Sequence, residues 1–127
     1  MKTRALLFLG IGIIFLNMFV ACSTAPAVPR VTNARGENAN GVATGYADGY
    51  HGEVSVTLTI SNGLIIDVVA RADHDTPIFA NPVISRAVNY MVRNNIPEID
   101  ILSGATITST AINKAARSAF DQILVME

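Results

Sequence analysis

The residues best suited to chemistry stand close together near the end of the chain, in Asp100-Ile101-Leu102-Ser103-Gly104-Ala105-Thr106-Ile107-Thr108-Ser109. Hydroxyls at Ser103, Thr106 and Thr108 lie just ahead of a stretch with helical periodicity, with Gly104 among them. A helix N-terminus has unpaired backbone N–H groups and a partial positive charge, so such a segment favours an anion such as phosphate. Gly104 permits positive φ or close approach of a ligand to the backbone. No Gly-Lys-Ser/Thr phosphate loop and no Ser-His-Asp set is evident. On residue types alone the segment is either an anion site or an ordinary capped turn, because Ser and Thr favour helix caps everywhere.

Other side chains could serve the same site. His74 stands between Asp73 and Asp75, but three successive residues cannot all face one ion, and His51 is isolated, so a metal site is not expected. His74 could pass a proton to a bound group or simply be a solvated loop histidine. Arg71 is, with His74, a weak candidate for the proton donor that a reductase would need. Tyr46, Tyr50 and Phe79 could stack on a planar ligand or pack at the rim of the core.

The elements that must position these residues are legible from periodicity. Residues 41–52 (GVATGYADGYHG) suggest a short edge strand and a turn. Glu53 to Ile60 alternates, with Val54, Val56, Leu58 and Ile60 on one face and Ser55, Thr57 and Thr59 on the other. Asn62-Gly63 is a tight-turn signal, and Leu64 to Ala72 is the return strand. Asp73 to Asn81 reads as a loop, and Pro82 as the first turn of a helix capped by Asn81. That helix carries Val83, Ala87, Tyr90 and Met91 on one face and ends near Asn94-Asn95. Ile99 to Leu102 suggests a short strand. A last helix from about Ser109 to Met126 has the apolar stripe Ala111, Ile112, Ala115, Ala116, Ala119, Phe120 and Ile123. The fold class is therefore α+β: a small twisted antiparallel sheet with two packed helices.

The N-terminal third reads differently. Ala5 to Ala21 has no charged residue and follows Lys2 and Arg4, the pattern of a secretory signal peptide at residues 1–21. An uncleaved anchor is the alternative. Cys22, the only cysteine, follows Val20-Ala21 and resembles the lipidated cysteine of a bacterial lipobox, with Phe19 in place of the usual leucine. A cysteine merely buried in an apolar segment is the other reading. Residues 22–40 are expected as the lipidated cysteine and a flexible tether, and residues 41–127 as the folded domain. Cleavage would remove Lys2 and Arg4, leaving seven basic against ten acidic residues, a net charge of −3. That balance argues against nucleic acid as a partner.

Ser103-Gly104-Ala105-Thr106-Ile107-Thr108 with Asp100 upstream resembles the flavinylation motif of the FMN-binding domain family. This family includes the C subunit of the sodium-pumping NADH:quinone reductase and the Rnf G subunit. The hairpin region is similar to the family's opening strands. Asp75-Thr76-Pro77 resembles its Glu-Thr-Pro element near the flavin, with Asp for Glu and Ile78 where a glycine usually follows. The resemblance implies FMN joined as a phosphoester to Thr106 by a separate flavin transferase. Ser103, Gly104, Ala105, Thr108, Asp100, Asp75 and Thr76 would then surround the cofactor. Together with the signal-like segment and Cys22, and with a domain too small for a separate substrate pocket around the flavin, it points to an extracytoplasmic electron carrier rather than a stand-alone enzyme. The carrier would serve membrane-associated redox proteins and be held to a bilayer through Cys22. Ser23 in place of an aspartate points to an outer membrane where the cell has one, and otherwise to the outer face of the cell membrane. The competing class is a non-redox lipoprotein module that binds an anionic ligand or a partner protein.

Overall fold

A computed structural model describes residues 27–126, so the expected signal segment and Cys22 lie outside the described residues. The chain runs through β1 (Gly41–Asp48), β2 (Glu53–Ser61), β3 (Leu64–Arg71), α1 (Pro77–Asn94) and α2 (Thr106–Val125). The strands form one antiparallel sheet in the order β1-β2-β3. Helix α2 packs on β1 and β2, and α1 packs on β3. This is the α+β arrangement the periodicity predicts.

The alternation of β2 places Val54, Val56, Leu58 and Ile60 in the core beneath the helices. Asn62 and Gly63 both take positive φ, 51° and 75°, as a two-residue type I′ hairpin requires. The stripe of α2 is buried at Ala111, Ile112, Ala115, Ala116, Ala119 and Ile123, while Phe120 is only partly covered. Its small residues allow unusually close contact. A Cβ added to Gly45 in β1 would overlap the Ala115 carbonyl and stand 2.8 Å from the Ala119 nitrogen. Strand and helix backbones touch there.

Four expectations need correction. Residues 30–40, read as tether, are packed onto the domain. Val31 N–H donates to the Gly63 carbonyl at 2.8 Å, Gly63 N–H to the Ala39 carbonyl at 2.9 Å, and Ala39 is fully buried. Pro and polar residues gave this stretch the composition of a linker, but the open N–H and C=O groups of the hairpin turn give it hydrogen-bonding partners. Helix α1 begins at Pro77, with Thr76 as N-cap, and Pro82 lies inside it. Proline lacks the N–H of an interior helical position yet sits here within the second turn. Tyr90 is 38% exposed, so the inward face of α1 is Ala80, Val83, Ala87 and Met91.

Residues 99–102 form no strand. The Asn113 side chain pairs with both backbone groups of Ile99, accepting from its N–H at 2.9 Å and donating to its carbonyl at 2.8 Å. These bonds supply locally what a neighbouring strand would.

Gly45→Ala should lower unfolding stability by about 1–3 kcal/mol, the usual range for overpacking. Val42→Ala, at a position 56% exposed on the same strand, should change it little. Urea unfolding of the two variants checks the contrast.

Candidate functional site

The turn between Leu102 and Ala105 positions the hydroxyl segment. The Ala105 N–H donates to the Leu102 carbonyl at 3.1 Å, and Gly104 takes φ +84°. That φ suits the third residue of a type II turn and strains any residue with a side chain. Ser109 fastens this turn from inside α2. Its Oγ donates to the Ala105 carbonyl at 2.7 Å and accepts from the Leu102 N–H at 3.2 Å. Ser109 is fully buried and so acts within the helix instead of starting it. The helix begins three residues earlier than expected, at Thr106. No side chain caps it at Ala105. The first-turn N–H groups therefore remain available to an anion.

Asp75, on the loop between β3 and α1, reaches this first turn. It is 6% exposed and accepts from the Thr108 hydroxyl at 2.6 Å through Oδ2 and from the His51 N–H at 2.9 Å through Oδ1. Burial opposes its charge. The Thr108 bond, backbone bonds from His51 and Tyr50, and the nearby His51 imidazole together hold its carboxyl below its ordinary range. One carboxylate thus joins the β1–β2 turn, the loop after β3 and the start of α2. Gly49 makes this possible, because a Cβ there would stand 2.7 Å from Val54 and 3.3 Å from the Asp75 carboxylate.

These segments enclose a cleft of about 450 Å³ lined by Tyr50, Asp75, Thr76 and residues 104–108. Its size falls within the range of small-molecule sites. Thr106 is exposed at its edge. Of the expected site residues, Gly104, Ala105, Thr106, Thr108, Asp75 and Thr76 line it, whereas the exposed Ser103 and Asp100 do not. Ile107, 51% exposed, lines it too. An apolar residue standing out in a helix's first turn was the signal for it.

Among the described residues Tyr50 is the aromatic that lines the cleft, 62% exposed and edge-on to His51 with centroids 4.2 Å apart. Tyr46 is exposed on β1, away from the cleft lining, and the Phe79 side chain lies outside the described residues. His74 lies against the Gly52 backbone, where a Cβ on Gly52 would meet it at 2.7 Å. Arg71 is exposed at the end of β3. Ile78 is 74% exposed, so the side chain in place of the family's glycine does not fill the cleft. Among the described residues, no group of three His, Cys, Asp or Glu side chains could hold a metal ion.

The FMN-binding domain model matches residues 49–121, a span that starts at the β1–β2 turn and takes in every lining residue of the cleft. The chain belongs to the FMN-binding domain family. FMN is the cofactor this membership assigns to it. The chain is also 32% identical over 82 residues to the NADH:acrylate oxidoreductase of Vibrio harveyi. That match covers 65% of this chain and 8% of the relative's length.

Two outcomes follow from the site. A group with a depressed folded pKa contributes stability above its unfolded pKa and loses it as the pH falls through the lower, folded value. The Asp75 contribution should therefore be complete above about pH 4 and disappear below it. Asp75→Asn leaves one oxygen for the Thr108, His51 and Tyr50 donors and should cost about 1–3 kcal/mol at neutral pH. Its acid-unfolding profile should also be flatter than that of the parent, which urea titrations across pH would show. Gly104→Ala meets nothing within 4 Å, so the strain of positive φ alone should cost about 1 kcal/mol.

Proposed function

We propose that the cleft holds FMN and that the Thr106 hydroxyl is joined to its phosphate. The observation that carries this reading is the position of Thr106: exposed, the first residue of a 20-residue helix without a side-chain cap, and at the edge of the family's cleft. A phosphate there would meet the positive end of α2 and its first-turn amides. Gly104 and Ala105 keep the approach clear, since even a Cβ on Gly104 would meet nothing. Tyr50 offers an aromatic face to a planar ring.

The attachment needs a flavin transferase with FAD as donor. The Thr106 oxygen attacks the FMN-side phosphorus, the Thr106 O–P bond forms and the pyrophosphate bond breaks. AMP leaves and the hydroxyl proton is lost. The bound cofactor supplies one- and two-electron chemistry. The protein holds it, with the Asp75 carboxylate as a fixed negative charge in the cleft wall.

The chain then works as an electron carrier outside the cytoplasm, lipid-anchored at Cys22 and exchanging electrons with membrane-associated redox proteins. The signal-like segment and the cysteine after it support this location. Covalent attachment suits it, because a cofactor outside the cell would otherwise be lost by dilution. The relative's name, an oxidoreductase, supports a redox role for a module matching 8% of it.

Intact and peptide mass spectrometry after coexpression with a flavin transferase tests the attachment. A gain of one FMN less one water on the peptide containing Thr106, absent from Thr106→Ala, is the expected result. An unmodified Thr106, with the transferase active on another target, would sink it.

A further inference from the structure

The sheet has two unlike ends. The cleft lies at one, beside the β1–β2 turn and the loop that follows β3. The Asn62-Gly63 turn lies at the other, and residues 29–40 are fastened there. Arg30 donates to the Asn62 carbonyl at 2.8 Å, and Asn38 Nδ2 donates to Asn62 Oδ1 at 2.7 Å. Asn95, 6% exposed, donates from Nδ2 to the carbonyls of Pro29 and Gly63, each at 2.9 Å. Its Oδ1 accepts from the Ile65 N–H at 2.7 Å. The N-terminal segment thus joins the domain at the end farthest from the cleft, about 25 Å away at ~3.4 Å per strand residue.

The two ends also differ in charge. Arg30, Arg35 and Arg93 stand with Glu37, Asp67 and Asp121 toward the turn end, whereas Asp48, Glu53, Asp73 and Asp75 stand with Arg71 at the cleft end. Beside the fastened segment runs an open groove between the start of β3 and the last turn of α1. Val28, Ile66 and Val92 in its walls are 42%, 56% and 36% exposed, and Arg30 and Arg93 flank them. Exposed apolar side chains flanked by arginines suit an anionic lipid surface, where the former enter the headgroup boundary and the latter meet phosphates.

We infer that this groove is the face the domain lays on an anionic bilayer, with the cleft turned away from it. The inference rests on the lipid-anchor reading and deepens it. From Cys22 to Ala27 is five residue steps, at most about 18 Å of extended chain. An anchor at Cys22 therefore holds this end near the lipid. The groove lies beside the point where the chain comes in, and its basic charge matches the headgroups. A redox partner then reaches the cleft from the aqueous side, with its own redox centre standing clear of the bilayer. A quinone dissolved in the membrane core is out of reach.

The test uses the full lipidated chain in phosphatidylcholine vesicles containing phosphatidylglycerol and a headgroup-level quencher. A single cysteine placed by Ile66→Cys or by Asp48→Cys carries a fluorophore, Cys22 being blocked by its lipid. Both positions are exposed, so the substitutions should be tolerated. The label at position 66 should be quenched several-fold more than the label at position 48. That contrast should shrink in pure phosphatidylcholine and in Arg30→Glu/Arg93→Glu. Flotation with the vesicles reads the anchor separately. A chain that does not float overturns the anchor and the orientation together. A chain that floats with equal quenching at both positions, or with none at either, overturns the orientation alone.

Discussion

Strand β1 lies against helix α2 because Gly45 has no side chain and Ala115 and Ala119 have short ones. The backbones meet where a single Cβ would overlap a carbonyl oxygen. This contact fixes the height of α2 over the sheet and so the position of its first turn. Everything at the cleft depends on that height. Thr108 must come within 2.6 Å of a carboxylate carried by the loop after β3, and a bulkier residue at position 45 would lift the helix off it. Burial of the alanine stripe drives the two together, and the glycine decides how close they come.

The site is assembled from three stretches of chain far apart in sequence, and Asp75 links them. A buried carboxylate is costly unless hydrogen bonds satisfy it. Here the donors come from the β1–β2 turn and from α2, so the group that needs partners also defines the walls. Such an arrangement gives a rigid cleft without a large core beneath it. The same negative charge lies near the start of α2, where the helix end favours anions. A phosphate at Thr106 would share that end with Asp75, and exposure of Thr106 to water moderates their repulsion.

Much of the molecule was legible in its sequence, for identifiable reasons. The hairpin was, because period-2 alternation and Asn-Gly are both local signals. The face of α2 was too, because seven apolar residues recur at helical spacing. What local pattern could not reveal was pairing by asparagine side chains across long separations. Asn95 reaches residues 29 and 63, and Asn113 reaches Ile99. These contacts turned an expected tether into a packed strap and an expected strand into a tied loop. The start of α1 was missed for another reason: Pro82 looks like a helix opening, yet Pro77 already provides one. At the site, motif resemblance points to Thr106 and Asp75, which both line the cleft, whereas the bond between Asp75 and Thr108 needed the fold. Asp100 and Ser103 match the motif but stand outside the cleft.

The strap at residues 30–40 also has a mechanical meaning. Any pull on the N-terminus passes first into the hydrogen bonds around Asn62, Gly63 and Asn95, at the far end of the sheet. The strands run lengthwise between that end and the cleft, so tension would have to unzip the strap before it could distort the start of α2. The joint that takes the pull and the chemically exposed helix end are thereby insulated from each other. A jolt to whatever holds the chain would loosen its fastening and leave Thr106 in place.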